Sequence, residues 1–229
     1  MKTVEQQKSY KGAIMFPEKE AKKIRDFYVS KGYEISRIEL REYSLTLELK
    51  QYKRKFTIYR NKKGEYRLVI PQNFSADLKF ELMKLWEEFN GKDLSGCHLF
   101  VDGSYRDNRA AYGVVVVKDG WVIGEFSGCF ELRGGQRNVA GEIKGVIKGL
   151  EWCITSRIDE VFVHYDYEGL EKWARGLWKA KNSLTQWYTE KIQKIERSLR
   201  ITWVKEKAHS GSTYNEVADK LARGALDAH

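Results

Sequence analysis

Apolar and polar residues alternate in two different ways along the first part of the chain. Helical spacing follows Pro17, a residue suited to the first turn of a helix, and continues to about Ser30. Leu45, Leu47 and Leu49 then alternate with polar residues, which is the period of a half-buried antiparallel strand. The pattern predicts a strand, a helix, four strands and a helix, in this order: Ser9–Phe16, Pro17–Ser30, Tyr33–Leu40, Ser44–Lys50, Arg54–Tyr59, Glu65–Ile70 and Ser75–Phe89.

The remaining chain begins with Cys97–Asp102, a near-continuous apolar run typical of a central strand. Ala111–Lys118 and Trp121–Phe130 are predicted to form a hairpin around Asp119-Gly120. Helices and strands alternate beyond it. Three consecutive strands followed by this alternation predict an α/β domain with a five-stranded mixed sheet and helices on both faces. The later predicted elements are a helix with apolar residues from Val139 to Ile154, a strand over Asp159–Asp166, helices over Gly169–Trp178 and Leu184–Leu199, a strand over Arg200–Lys207 and a helix over Thr213–Ala228.

A polar segment with two glycines, residues 90–96, separates the two parts and has the composition of a short linker. We therefore expect a small α+β accessory domain over residues 1–92 and an α/β domain over residues 93–229. The chain has no apolar stretch of the roughly 20 residues that cross a bilayer, and its charged start lacks the apolar core of a secretory signal. A cytoplasmic monomer without membrane contact is expected, with protein partners left open.

The positive charge is concentrated in the first part. The chain carries a net charge of +9, of which residues 1–92, with 21 Lys and Arg against 13 Asp and Glu, hold +8. A basic module beside a nearly neutral one suits an enzyme that handles a polyanion, although a solvated basic surface would have the same composition. Six basic residues are predicted on or around one hairpin as candidate nucleic-acid contacts: Lys53, Arg54, Lys55, Arg60, Lys62 and Lys63.

Four acidic residues of the second part stand at the ends of apolar strands or inside helical patterns. They are Asp102, Glu142, Asp166 and Asp219. A carboxylate buried there without compensation would cost several kcal/mol, so the four require cations. Oxygen-only ligands suit Mg²⁺, with Mn²⁺ as an alternative, and two such ions could clamp the attacking and leaving oxygens of a phosphodiester displacement. Asn215 lies four residues before Asp219, on the same helical face.

The order Asp, Glu, Asp, His-x-x-x-x-x-Asn-x-x-x-Asp resembles the type 1 ribonuclease H family over about residues 96–229. This resemblance implies a metal-dependent endoribonuclease that cleaves the RNA strand of RNA/DNA hybrids and leaves 3′-hydroxyl and 5′-phosphate ends. It implies that Asp102, Glu142, Asp166 and Asp219 bind two metal ions, with Asp102 bridging them. It further implies that His209 assists turnover or product release.

The resemblance also implies substrate contacts. Asn138 would contact the minor groove of the hybrid, and other residues would lie along the DNA strand. The candidates are Ser104, Asn138, Asn215, Trp173, Trp178 and Lys179. The chain departs from the family at Tyr105–Arg109, where many members have a turn with glycine and proline. The stretch between Asp166 and His209 is also too short for the basic protrusion of some bacterial members.

The predicted order of elements in residues 1–92 resembles a TATA-binding-protein-like repeat, and a double-stranded-RNA-binding domain has a similar pattern. Two alternatives to ribonuclease H activity stay open at this point. One is a protein that binds RNA/DNA hybrids or double-stranded RNA without cleaving them. The other is a DNA nuclease of the same superfamily.

Overall fold

The computed structural model describes residues 16–132, 139–206 and 212–228. The chain forms two compact units, Met1–Ser75 and Ala76–His229. The division lies one helix earlier than the predicted boundary near residue 93. At the new boundary the separation of charge is complete, since residues 1–75 hold 18 Lys and Arg against 9 Asp and Glu, and residues 76–229 hold 23 of each kind.

The first unit contains one helix and an antiparallel sheet in the order β1-β2-β3-β4. Alternate leucines of β2 are fully buried, as their spacing predicts. Helix α1 packs on this face of the sheet, where the rings of Tyr28 and Phe56 lie 5.0 Å apart. The predicted strand over Ser9–Phe16 lies outside the described residues except for Phe16. The elements are α1 (Glu18–Ser30), β1 (Ile35–Arg41), β2 (Ser44–Leu49), β3 (Arg54–Arg60) and β4 (Tyr66–Val69).

The second unit has the predicted five-stranded mixed sheet, in the order β7-β6-β5-β8-β9. Strand β5 pairs antiparallel with β6 and parallel with β8, and β9 pairs parallel with β8. This confirms the α/β fold class. The elements are α2 (Ala76–Phe89), β5 (Cys97–Arg106), β6 (Arg109–Lys118), β7 (Trp121–Glu131), α3 (Ala140–Thr155), β8 (Glu160–Tyr165), α4 (Gly169–Ala174), α5 (Ser183–Ile195), β9 (Arg200–Lys205) and α6 (Thr213–Asp227).

Strand β5 is buried on both faces, as expected of a central strand. Leu99 and Val101 belong to one core with α3, α4 and α5. Phe100 faces the opposite layer, where its ring lies 5.3 Å from that of Tyr214 in α6. Helices therefore cover both faces of the sheet, in agreement with the sequence prediction.

Helix α2 belongs to the second unit, where it contacts α6 and β7. Its residues Leu82 and Trp86 are almost completely buried. The sequence pattern placed this helix correctly along the chain but grouped it with residues 1–92, whereas in the structure it packs within the second compact unit. The first unit consequently lacks the final helix on which its likeness to a TATA-binding-protein-like repeat or a double-stranded-RNA-binding domain partly depended.

His98 in β5 and His164 in β8 are buried and stack on the aromatic rings of Phe162 and Phe100. His98 Nδ1 lies 2.9 Å from His164 Nε2, and His164 Nδ1 lies 2.8 Å from an oxygen of Glu206. Burial lowers the pKa of His98. Both histidines thus serve as structural residues of the sheet, which is the role expected from their lack of any match to a catalytic motif.

None of the helices in the described parts of the chain combines the length and the apolar character needed to cross a bilayer. The cysteines carry free thiols, and Cys97 and Cys153 are buried in contact with each other.

Candidate active site

Two of the four candidate carboxylates are placed side by side by strand register. Phe100 pairs with His164 in the parallel β5–β8 ladder. Asp102 and Asp166 each stand two residues further along their strand directions, so they occupy equivalent positions just beyond this pairing. Asp166 follows the end of β8, as predicted. Asp102 does not end its strand, because β5 continues to Arg106 in a hairpin with β6.

Close backbone approach brings the first turn of helix α3, and with it Glu142, to the end of the sheet where Asp102 and Asp166 lie. A Cβ atom at Gly103 would lie 2.8 Å from the Glu142 backbone nitrogen, and one at Gly141 would lie 2.2 Å from the Ala111 carbonyl oxygen. Real Cβ atoms do not come so close to backbone atoms. Glycine at these two positions therefore allows the first turn of α3 to rest against β5 and β6.

Helix α6 supplies the fourth carboxylate from the opposite layer. It lies against β6 at Gly113, where a Cβ atom would be 2.0 Å from the Ala218 carbonyl oxygen. Asn215 Nδ2 donates a long hydrogen bond of 3.4 Å to Asp102 Oδ2. Asp219, one turn further on, accepts a 2.7 Å bond from Arg223 Nε. The predicted shared face of Asn215 and Asp219 is thus directed toward the site.

Neighbouring carboxylates contribute to raised pKa values at Asp102 and Glu142. Burial, followed by the charges of Asp219 and Asp166, raises the pKa of Asp102 to about 6, although a 2.7 Å bond from the Gly103 N–H opposes the shift. Burial, followed by the charges of Asp166 and Asp102, raises the pKa of Glu142 to about 8. All four predicted acids therefore belong to one electrostatic cluster, in which Arg223 compensates the charge of Asp219.

The donor chemistry of this cluster fits a hard divalent cation, because each of its side chains offers only oxygen atoms. In the arrangement seen, no three Asp, Glu, His or Cys side chains among the described residues are gathered into a metal-binding group. Arg223 meanwhile compensates one of the charges, that of Asp219. A bound cation would require the carboxylates to close in and would compete with Arg223 for Asp219.

The raised pKa of Glu142 predicts a pH-dependent stability in the absence of divalent ions. An acid whose pKa is higher in the folded state stabilises the fold when protonated, and this stability is lost as the pH rises. For Glu142 the loss should extend from about pH 4, near the unfolded pKa, to about pH 8. With EDTA present, Glu142→Gln should therefore remain more stable than the wild type at pH 8, with a smaller difference at pH 5.

Urea unfolding at several pH values measures this effect. Glu190→Gln, an identical change at an exposed position of α5, is the matched control and should follow the wild type. If the free energy of unfolding varied with pH in the same way for Glu142→Gln and the wild type, the assignment of a raised pKa to Glu142 would be contradicted.

The predicted substrate-binding residues differ in their exposure, and they are not all brought to the carboxylates. Ser104 is half-buried in β5, two residues beyond Asp102. Trp173 is 8% exposed and belongs to the core, so its prediction as a substrate contact is corrected. Trp178 is 40% exposed and packs edge-on against Trp173, and Lys179 beside it is exposed. Asn138 and His209 lie outside the described residues.

The six basic residues predicted around one hairpin lie at two ends of β3. Lys53, Arg54 and Lys55 stand at its start, whereas Arg60, Lys62 and Lys63 stand at its end and in the following turn. The two groups are roughly 20 Å apart at about 3.3 Å per residue. Lys55 is also paired with Glu39 at 2.9 Å and Glu48 at 3.6 Å, so its charge is compensated within the sheet. A single basic patch is therefore corrected to two smaller groups.

Two residues near the site were missed by sequence reasoning. Arg223 follows Asp219 by one helical turn, and this spacing could have indicated the ion pair. Glu87 in α2 contacts Thr213 at the start of α6, a partner 126 residues away in sequence, and no sequence signal indicated it.

Comparison with known proteins identifies relatives of the segment that contains these four carboxylates. The profile of the RNase H family matches residues 95–227. The ribonuclease H of Ehrlichia ruminantium (strain Gardel) is 27% identical over 148 residues, covering 58% of this chain and 97% of that protein. The ribonuclease H of Wolbachia pipientis wMel is 33% identical over 96 residues, covering 37% of this chain and 65% of that protein.

Among solved structures, RNase H1 from the halophilic archaeon Halobacterium salinarum NRC-1 superposes with a TM-score of 0.52 at 24% identity. The match covers 59% of this chain and all of that one, and it supports the fold of the second unit. Because the family profile spans more than half of the residues and includes all four clustered carboxylates, the chain belongs to the RNase H family.

Proposed function

We propose that the protein is an endoribonuclease that hydrolyses the RNA strand of RNA/DNA hybrids. The observation that supports this most strongly is the cluster of Asp102, Glu142, Asp166 and Asp219 at one edge of the sheet, in a chain of the RNase H family. Carboxylates gathered in this way repel one another and are costly for stability, and groups with a raised pKa, such as Asp102 and Glu142, concentrate at functional sites.

We propose that these four carboxylates would hold two Mg²⁺ ions, or Mn²⁺ as an alternative. Such ions supply activation of a water nucleophile and stabilisation of the leaving oxygen, which would give 3′-hydroxyl and 5′-phosphate ends. The chain itself orients the ligands. The Gly103 N–H holds one oxygen of Asp102, and Asn215 reaches the other.

Substrate recognition is proposed for two half-buried residues beside the carboxylates and for two exposed residues that follow α4. Ser104 and Asn215 are near the carboxylates, while Trp178 and Lys179 offer an exposed ring and a cation for the DNA strand. Distinguishing RNA from DNA would rest on the 2′-hydroxyl groups in the wide minor groove of the hybrid. The family resemblance adds Asn138 to these contacts and gives His209 its part in turnover.

Cleavage of end-labelled substrates tests the proposal. RNA/DNA hybrid, duplex RNA and duplex DNA of one sequence are incubated with the full chain in Mg²⁺, Mn²⁺ or EDTA. We expect internal cuts in the RNA strand of the hybrid with either ion, none in EDTA, and intact duplex RNA and DNA. Cleavage of duplex DNA would indicate a DNA nuclease instead, and binding of the hybrid without any cleavage would indicate a non-catalytic binding protein.

The first unit is proposed to attract the phosphate backbone, because it holds the entire net charge of +9. Lys62 and Lys63, in the β3–β4 turn, are exposed and outside the internally paired face of the sheet. Lys53 and Arg54 form the corresponding group at the other end of β3.

Reversing the charge of Lys62 and Lys63 to Glu should weaken hybrid binding and reduce its salt dependence. Two lost phosphate contacts should flatten the slope of log affinity against log salt by roughly 1.4 to 1.8. The measurement is a salt titration of binding in the catalytically inactive Asp102→Asn background. Reversing Lys19 and Lys22 on α1 makes the same change in net charge and is the matched control. Equal slopes for both double variants would assign the effect to net charge alone and remove the turn as a contact.

A further inference from the structure

Helix α2 brings a buried carboxylate to the first turn of α6. The Glu87 side chain is only 2% exposed. Its Oε1 accepts hydrogen bonds from the Thr213 backbone N–H at 2.6 Å and from the Thr213 hydroxyl at 2.7 Å. Thr213 is the first residue of α6, so Glu87 caps this helix from another element of the fold.

The start of α6 needs such a partner. The first N–H groups of a helix have no partners inside the helix, and they carry the positive end of its dipole. Ser212, which occupies the N-cap position, makes no side-chain capping bond. A carboxylate is the strongest acceptor that can stand there, and Glu87 supplies it.

The charge of Glu87 is itself compensated at the linker. Lys92 Nζ lies 3.3 Å from Glu87 Oε2 and 3.4 Å from Glu206 Oε2. Glu206 immediately follows β9 and is bonded to His164 in β8. Lys92 therefore connects the capped helix to the parallel strands β8 and β9, and Asp166 directly follows β8.

The position of α6 matters because this helix carries Asn215 and Asp219. Asn215 stands two residues after the capped Thr213, and its contact with Asp102 is long, at 3.4 Å. A small shift of the helix along or around its axis would move both side chains relative to Asp102. Misplacement by about 1 Å can reduce a catalysed rate by about a hundredfold.

We propose that Glu87 is a positioning residue for the reaction: by holding Thr213 it sets where α6 presents Asn215 and Asp219 to Asp102. The inference rests on the proposed function. It assigns a catalytic contribution to a helix that precedes the segment matched by the RNase H profile, which begins at residue 95.

Glu87→Ala and Glu87→Gln in the full chain test this role. Alanine removes the acceptor, whereas glutamine keeps an oxygen that can accept from the Thr213 N–H and hydroxyl. Asn182→Ala is the matched control, because it removes the cap of α5, where Asn182 Oδ1 accepts from the Thr185 N–H at 2.9 Å. Three quantities are measured: kcat and KM for hybrid cleavage, the Mg²⁺ concentration for half-maximal rate, and hydrogen exchange of α6.

Glu87→Ala should lower kcat by between about ten and a hundredfold while KM stays within about twofold. It should raise the Mg²⁺ requirement and accelerate exchange in the first turn of α6. Glu87→Gln should recover most of the loss. Asn182→Ala should lower stability without changing the Mg²⁺ requirement. If Glu87→Ala does not fold, Thr213→Val, which loses only the hydroxyl donor, should show a smaller change in the same direction.

Two results would overturn the inference. One is a folded Glu87→Ala protein with the kcat, Mg²⁺ requirement and α6 exchange of the wild type. The other is an equal loss of kcat and an equal change in Mg²⁺ requirement in Asn182→Ala, which would assign the effect to general destabilisation. A wild type that does not cleave hybrids would reject the proposed function instead, and unchanged α6 exchange in Glu87→Ala would then reject the positioning role separately.

Discussion

Asp102→Asn is expected to reduce hybrid cleavage by roughly a thousandfold while leaving hybrid binding largely intact. Asp102 interacts electrostatically with each of the other three acids, since the charges of Asp219 and Asp166 raise its pKa and its own charge raises that of Glu142. Removing its charge removes the central ligand proposed for both ions. The measurements are single-turnover cleavage in Mg²⁺ and equilibrium binding of the same labelled hybrid.

Asp159→Asn makes the same chemical change at the opposite end of β8 from Asp166, at an exposed position, and should cleave normally. The Asp102→Asn protein should also be more stable than the wild type in EDTA above about pH 6, because the folded protein no longer carries the Asp102 carboxylate, whose pKa is raised to about 6. Near-normal cleavage by Asp102→Asn would contradict the proposed metal site.

Two shortened chains should differ sharply in stability. A chain that begins at residue 76 keeps α2 and the whole second unit, so we expect it to fold and to cleave hybrids in Mg²⁺. A chain that begins at residue 93 loses Trp86 and Leu82, and removing one such buried side chain costs about 2 to 5 kcal/mol. Domains are stable by only about 5 to 15 kcal/mol. The shorter chain should therefore be largely unfolded or inactive.

Circular dichroism during urea unfolding compares the two chains, and cleavage assays follow. Trp86→Ala in the full chain is the companion variant and should lower the urea midpoint in the same direction. Equal stability of the two shortened chains would show that α2 is dispensable for the second unit. The chain that begins at residue 76 should in addition bind hybrids more weakly than the full chain, because the net charge of +9 is absent.

The sequence predicted most of the strands and helices because their patterns are local. Alternation placed β2 correctly between Ser44 and Leu49, and the helical stripe placed α3 and α6. The family order of acidic residues identified the cluster for the same kind of reason. Each acid is marked by its immediate neighbours, and the fold of the family brings such positions to one edge of the sheet.

Pairing between distant segments was less accessible to sequence reasoning. Strand β5 was predicted to end at Asp102, because the apolar run ends there. In the structure the strand continues to Arg106, since antiparallel pairing with β6 satisfies the backbone of polar residues as well. Trp173 was predicted as a substrate contact from the family resemblance, whereas in the structure it belongs to the core.

By itself, the sequence determined the fold class, the four carboxylates and the basic character of the first part, because periodicity, motif order and charge are properties of neighbouring residues. The tertiary structure alone decided which unit contains α2, how the basic residues divide between the two ends of β3, and that Glu87 caps α6. These depend on contacts between residues far apart in the chain, and their free energy comes from burial and long-range hydrogen bonds that no local pattern records.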